Sequence, residues 1–276
     1  MGSTIRSAVG LGVIAFFLAT IPGEVWTVLL IANLRTNPNI PWCVAAMGLL
    51  LWAMWRYLDG DGPPRSTSEA RHRLLRAVPV SLPVFVRAVI GGLLGLAALA
   101  GFWIVLLQLV RLPARVLPDF SKYPLITVTS VLLTSCLVSS VPEETAFRGY
   151  FQNFLERKVP ATIAIIISSV VMAPAHCLTQ GFVWPVVLFY FLVDSMLGVI
   201  ANLTKSILPG IAVHFIGLLV FFTLIWPEDA TRILGREAVA TRWLWIHVAQ
   251  IVICGILALI IFSRLRATRQ WPAQPA

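Results

Sequence analysis

Apolar residues recur along this chain in runs of about 20, the length a helix needs to cross the roughly 30 Å hydrocarbon core of a bilayer. Eight such runs can be traced, over approximately residues 8–32, 40–57, 86–110, 125–147, 160–178, 183–201, 206–226 and 243–263. A chain built this way has few choices. In lipid every backbone N–H and C=O must be satisfied within its own segment, so runs of this length and spacing fold as helices. Only 12% of the residues are charged and mean hydropathy is +0.87, whereas soluble domains carry about 25% charged residues. The expected fold class is all-α: a polytopic membrane protein with about eight transmembrane helices, forming a single transmembrane domain over residues 1–276.

The formal net charge of +9 does not indicate nucleic acid, because the basic residues are scattered between apolar runs and form no stripe that could follow a phosphate backbone. Their distribution fits positive-inside topology. With the N-terminus inside, fourteen of the 21 Lys and Arg residues fall on the inner side, so both termini are expected in the cytoplasm. Eighteen of the 21 are arginine, which points to a GC-rich bacterial genome and hence to a bacterial inner membrane. The first apolar run is too long for a signal peptide and no clear A-x-A site follows it. Cys43, Cys136, Cys177 and Cys254 show no CxxC spacing and read as buried small hydrophobes. In the main polar interruption, residues 58–85, "STSEARHRLLRAV" reads as a short helix on the membrane surface. There Leu74, Leu75 and Val78 would oppose Arg71 and Arg73.

Charge inside the apolar runs carries the chemistry. "SSVPEETAFRGY", residues 139–150, places Glu143 and Glu144 side by side at the end of an apolar run. An acid at the centre of a spanning helix costs roughly 2.5 to 3.5 kcal/mol, and two adjacent acids repel. Glu144 and Arg148 are at i,i+4, the spacing of an intrahelical ion pair, which leaves Glu143 on a face about 100° away. A plainer reading makes Ser140 and Glu143 a capping box, with Pro142 opening a restarted helix. It would explain one acid at a water boundary, but not two with an arginine. Two histidines, His176 and His214, and one acid, Asp194, lie in later runs, while His72 and His247 look interfacial and incidental. Counting back from the turn near "ERKVP" to Glu143, and forward to His176, gives similar lengths. Asp194 and His214 are likewise equidistant from "ANLTKS". Antiparallel helices joined at these turns would bring Glu143, His176, Asp194 and His214 to one layer.

At this point the chain resembles the type II CAAX prenyl endopeptidase and bacteriocin-processing (abortive-infection) family of intramembrane proteases. "EETAFR" matches that family's EExxxR motif. Met172-x-x-x-His176 stands where the family has FxxxH, with Met for Phe, and "TKSILPGIAVH" ending at His214 looks like the approach to HxxxN or HxxxD. The likeness covers roughly residues 125–222, the expected catalytic core. Four residues after His214 the family has Asn or Asp, and here Leu218 stands instead.

The resemblance implies an intramembrane endopeptidase that hydrolyses a peptide bond with a glutamate/histidine-activated water. Glu143 would be the general base, His176 would help hold the water and His214 would stabilise the oxyanion, with Glu144 and Arg148 fixing the helix and field around Glu143. That mechanism takes no cofactor. Zinc bound by Glu143, His176 and His214 is the alternative, since two His and one carboxylate form a catalytic set. Expected partners are membrane lipids and a peptide or lipidated-protein substrate. There is no HExxH, no GxSG and no second membrane aspartate beside Asp194, so the other intramembrane protease chemistries fit poorly. Leu218 favours the competing reading, a non-proteolytic membrane scaffold or immunity-type protein that keeps the fold. A transporter ranks third, for lack of internal repeats.

Overall fold

The computed structural model describes residues 2–110, 120–180, 183–225 and 242–270. The helices are α1 (Gly2–Thr36), α2 (Trp42–Leu58), α3 (Ser68–Leu75), α4 (Leu82–Leu109), α5 (Leu125–Glu143) and α6 (Gln152–Glu156). They continue with α7 (Ala161–Gln180), α8 (Trp184–Thr204), α9 (Leu208–Val220) and α10 (Arg242–Gln270). Two wider π-helical segments, Glu144–Phe151 and Phe221–Ile225, extend α5 and α9. No strand occurs among the described residues, so the protein is all-α. All eight apolar runs are helical. Six of the helical stretches are long and apolar enough to cross a membrane, and the two shorter ones are Trp42–Leu58 and Ala161–His176. Local chemistry sets several of the boundaries. α4, α8 and α9 each carry a proline in their first turn, where its missing N–H costs nothing. Past the end of α2, Gly60 takes φ +107°, a conformation closed to most other residues.

The chain packs as two compact units, one from residues 2–77 and 120–160, the other from 78–110 and the described residues after 160. In the first unit α1 runs alongside α5 and its π extension. Trp26 Nε1 donates to Ser135 Oγ at 2.9 Å, and Gly12 leaves room for the Phe151 ring. Trp26, Cys43, Met47 and Val138 form the core. Asn33 closes the turn into α2, donating from Nδ2 to the Asn37 carbonyl and accepting from the Cys43 N–H at Oδ1.

The polar interruption departs from its expected form. α3 ends at Leu75, so Val78 lies beyond it, and Arg71 is buried rather than facing water with Arg73. The Arg71 guanidinium donates to the carbonyls of Gly60, Asp61 and Gly62 at 3.0 Å each and lies 4.1 Å from the Tyr57 ring centroid. Four backbone and aromatic partners outweigh exposure for a guanidinium that carries five donors. His72 is exposed and bonds Asp59 at 2.7 Å. His247 is buried and bonds Gln250, whose amide donates to the Ala97 carbonyl at 2.7 Å. The His247 ring is packed against its own unit.

In the second unit α4 presents glycines to its neighbours. A Cβ added at Gly92 would stand 2.6 Å from Val213 Cγ2 and 2.9 Å from Ile200 Cδ1, while one added at Gly95 would meet Met196 Sδ. Val213 is β-branched and fully buried, so it has one strongly preferred rotamer in a helix. Met196 can swing aside. Gly92→Ala is therefore expected to cost about 1–3 kcal/mol and Gly95→Ala clearly less. Melting temperatures of the two variants in detergent check this, and equal losses would contradict it.

Candidate active site

The glutamate pair lies where a helix changes form. α5 runs without a break through Ser140 and Pro142 to Glu143. Ser140 is therefore no cap and no helix restarts at Pro142, which overturns the capping-box reading. Pro142 cannot donate a backbone hydrogen bond, and its ring crowds the carbonyl four residues earlier. The chain answers by widening. The Glu144 N–H still bonds the Ser140 and Val141 carbonyls, four and three residues back, but by Gln152 the N–H reaches back five residues to Phe147. Glu144, Thr145, Ala146, Phe147, Arg148, Gly149, Tyr150 and Phe151 are all buried within this π segment. Such widened turns occur frequently at functional sites.

Inside it Arg148 Nη1 stands 3.4 Å from Glu144 Oε1, and the two side chains are 2% and 0% exposed. Arg148 leads the fully buried side chains in volume. The expected i,i+4 pair is thus formed, and formed away from water. Glu143, one residue earlier, is half-buried.

The histidines belong to the second unit. His176 follows Pro174 on α7 and its ring stacks on Tyr190 of α8, with centroids 3.9 Å apart and planes 14° from parallel. Asp194 lies one turn beyond Tyr190 on α8 and is 3% exposed. α7 and α8 are further joined by Ser195 Oγ donating to Ser169 Oγ at 3.2 Å. His214 is 8% exposed on α9. The turn before α9 is held by the N–H groups of Ser206 and Leu208 bonding the Thr204 and Ser206 hydroxyl oxygens. Lys205 takes φ 55° there. Leu218, one turn after His214, is half-buried.

Glu144 with Arg148, and His176 with Tyr190, are therefore brought together. Glu143 lies in the first unit and His176 and His214 in the second. Tyr190 escaped the sequence reading because an aromatic residue in an apolar helix reads as ordinary packing. Its only signal was its spacing of four from Asp194. Among the described residues no group of three or more His, Cys, Asp and Glu side chains is placed to hold a metal ion. Cys43, Cys136 and Cys254 are free thiols, and the Cys177 side chain lies outside the described residues.

Residues 125–220 match the family model described as Rce1-like, type II CAAX prenyl endopeptidase Rce1-like. The match opens with the first residue of α5 and closes with the last of α9. Those bounds enclose the glutamate pair, Arg148, His176, Asp194 and His214. The resemblance read from "EETAFR" is borne out over this third of the chain. At the level of the family it supports a CAAX-type intramembrane protease, a hydrolase of the membrane. No curated protein and no solved structure matches the chain.

Proposed function

Starting from the likeness of residues 125–220 to the type II CAAX prenyl endopeptidases, we propose that this protein cleaves a peptide bond within or at the face of the membrane. Glu143 takes a proton from a water that it holds together with His176, and the hydroxide so formed attacks the carbonyl carbon. His214 donates to the developing oxyanion, the point where charge grows most in acyl transfer. His176, stacked on Tyr190, has its ring plane fixed before substrate arrives. Glu144 and Arg148 act through Glu143. Their pair keeps a positive charge about one turn from the base. The substrate is a peptide or lipidated protein reached from the bilayer.

The observation that carries this reading is the buried Glu144–Arg148 pair in a π segment directly after Glu143. A structural ion pair would account for two charges, and the third, Glu143, is the one this reading takes as the base. Leu218 favours the second reading, a scaffold without proteolysis, since a leucine gives His214 no polar partner at that position.

The geometry is tested by disulfide-range bridging. Cysteines replacing Glu143 and His176, in a chain otherwise free of cysteine, are expected to be joined by a short bifunctional reagent. If position 143 instead bridges to a cysteine at Val170, the register is wrong and His176 has no role. Orientation is tested separately. A single cysteine at Ser68 is expected to react only with reagents that reach the cytoplasm, and labelling by an impermeant reagent in intact cells would reverse the topology.

A further inference from the structure

The residues that follow Arg148 are gripped by a segment about 80 positions earlier in the chain. Gly149 lies so close to α3 that an added Cβ would stand 2.7 Å from the Leu75 carbonyl oxygen. Tyr150 Oη donates to the Leu58 carbonyl at 2.7 Å. Asn153 Nδ2 donates to the Arg73 and Leu74 carbonyls at 3.1 and 3.2 Å, groups that the last turn of a helix leaves unsatisfied. Arg76 Nη2 meets Glu156 Oε2 at 2.6 Å with both side chains under a tenth exposed, and Gln152 Nε2 donates to the same carboxylate at 2.9 Å. The gripping segment is itself stiff. Arg71 ties three loop carbonyls, and Ser68 Oγ donates to the Gly60 carbonyl at 2.6 Å.

A π-helical stretch normally lasts a single turn, and the eight residues Glu144–Phe151 exceed that. Without outside support such a stretch would tighten to the α form. Each residue taken out of the turn would rotate everything upstream by about 100°, enough to carry Glu143 to another face. We propose that the segment Leu58–Arg76 is a positioning strap: it holds the Glu144–Phe151 turn in its widened register and so aims Glu143 and the Glu144–Arg148 pair. Gly149, Tyr150, Asn153 and Glu156 are the residues it grips. The effect on cleavage rests on the reading of Glu143 as base, but the effect on the helix does not.

The test uses the full-length chain in detergent with Arg76→Glu, Glu156→Arg and the double reversal, and Tyr150→Phe as a milder variant that keeps the ring. Two quantities are measured: amide hydrogen exchange by segment, and cleavage per folded molecule. Each single reversal is expected to speed exchange across residues 144–151 by about tenfold while residues 125–138 keep their protection. Cleavage per folded molecule should fall by a similar factor, and the double reversal should restore both. Tyr150→Phe is expected to show the same local pattern at smaller amplitude. Unchanged exchange across 144–151 would overturn the strap, as would loss of protection spread evenly over the chain. Faster local exchange with undiminished cleavage per folded molecule would overturn its positioning role. Should the wild-type chain cleave nothing, the reading of Glu143 falls by itself, and the exchange pattern with its rescue decides the strap.

Discussion

Glu143→Gln is expected to abolish cleavage while leaving the melting temperature unchanged or raised. The amide keeps the shape of the side chain but replaces one acceptor oxygen by a donor and cannot take a proton from water. General-base catalysis contributes about two to four orders of magnitude in rate, so residual cleavage should fall below what a comparison of cellular polypeptides can detect. The measurement pairs thermal denaturation in detergent with such a comparison: cells carrying the wild type and cells carrying Glu143→Gln should differ in the length of a small set of proteins. A stable and active Glu143→Gln beside a stable and dead Glu144→Gln would invert the roles of the two acids. If both remained stable and active, the pair would have no catalytic part, and the scaffold reading suggested by Leu218 would stand.

Breaking the neighbouring ion pair should have the opposite signature. Glu144 and Arg148 are both withdrawn from water, so removing one leaves the other charge in a low dielectric. Loss of one partner of a buried pair costs about 3–5 kcal/mol in soluble proteins. Glu144→Ala and Arg148→Ala are each expected to lower the yield of folded protein and the melting temperature together. Replacing both by apolar residues of similar volume, as in Glu144→Leu with Arg148→Met, should be less harmful to folding than either single loss. It should still reduce cleavage, because the field around Glu143 is gone. A thermal series on these three variants decides the matter, and wild-type stability in both single variants would show that the pair bears no structural weight.

The helical architecture was legible because membrane crossing imposes a length on apolar sequence, and that length can be counted. All eight runs are helices, although Trp42–Leu58 and Ala161–His176 are shorter than the other six stretches. The Glu144–Arg148 pair was legible for a similar reason, since charge within an apolar run is costly and a spacing of four predicts its relief. What could not be read were features in which a residue type points both ways. Arg71 counts toward positive-inside topology like any arginine, and only tertiary structure shows it turned inward onto loop carbonyls. Ser140, Pro142 and Glu143 satisfy the pattern of a helix start, yet α5 continues through them. A π turn adds a residue without changing composition, so no periodicity over a few residues could reveal it.

The pairing of Arg76 with Glu156 across 80 positions sets a clock on biosynthesis. Ribosomes add about 5–20 residues per second, so Arg76 is made about 4–16 seconds before its partner. Through that interval the Arg76 guanidinium lacks its carboxylate, whereas Arg71 already has the Gly60, Asp61 and Gly62 carbonyls made before it. Only after the helix bearing the glutamates has emerged can Arg76 exchange its hydration for the Glu156 carboxylate.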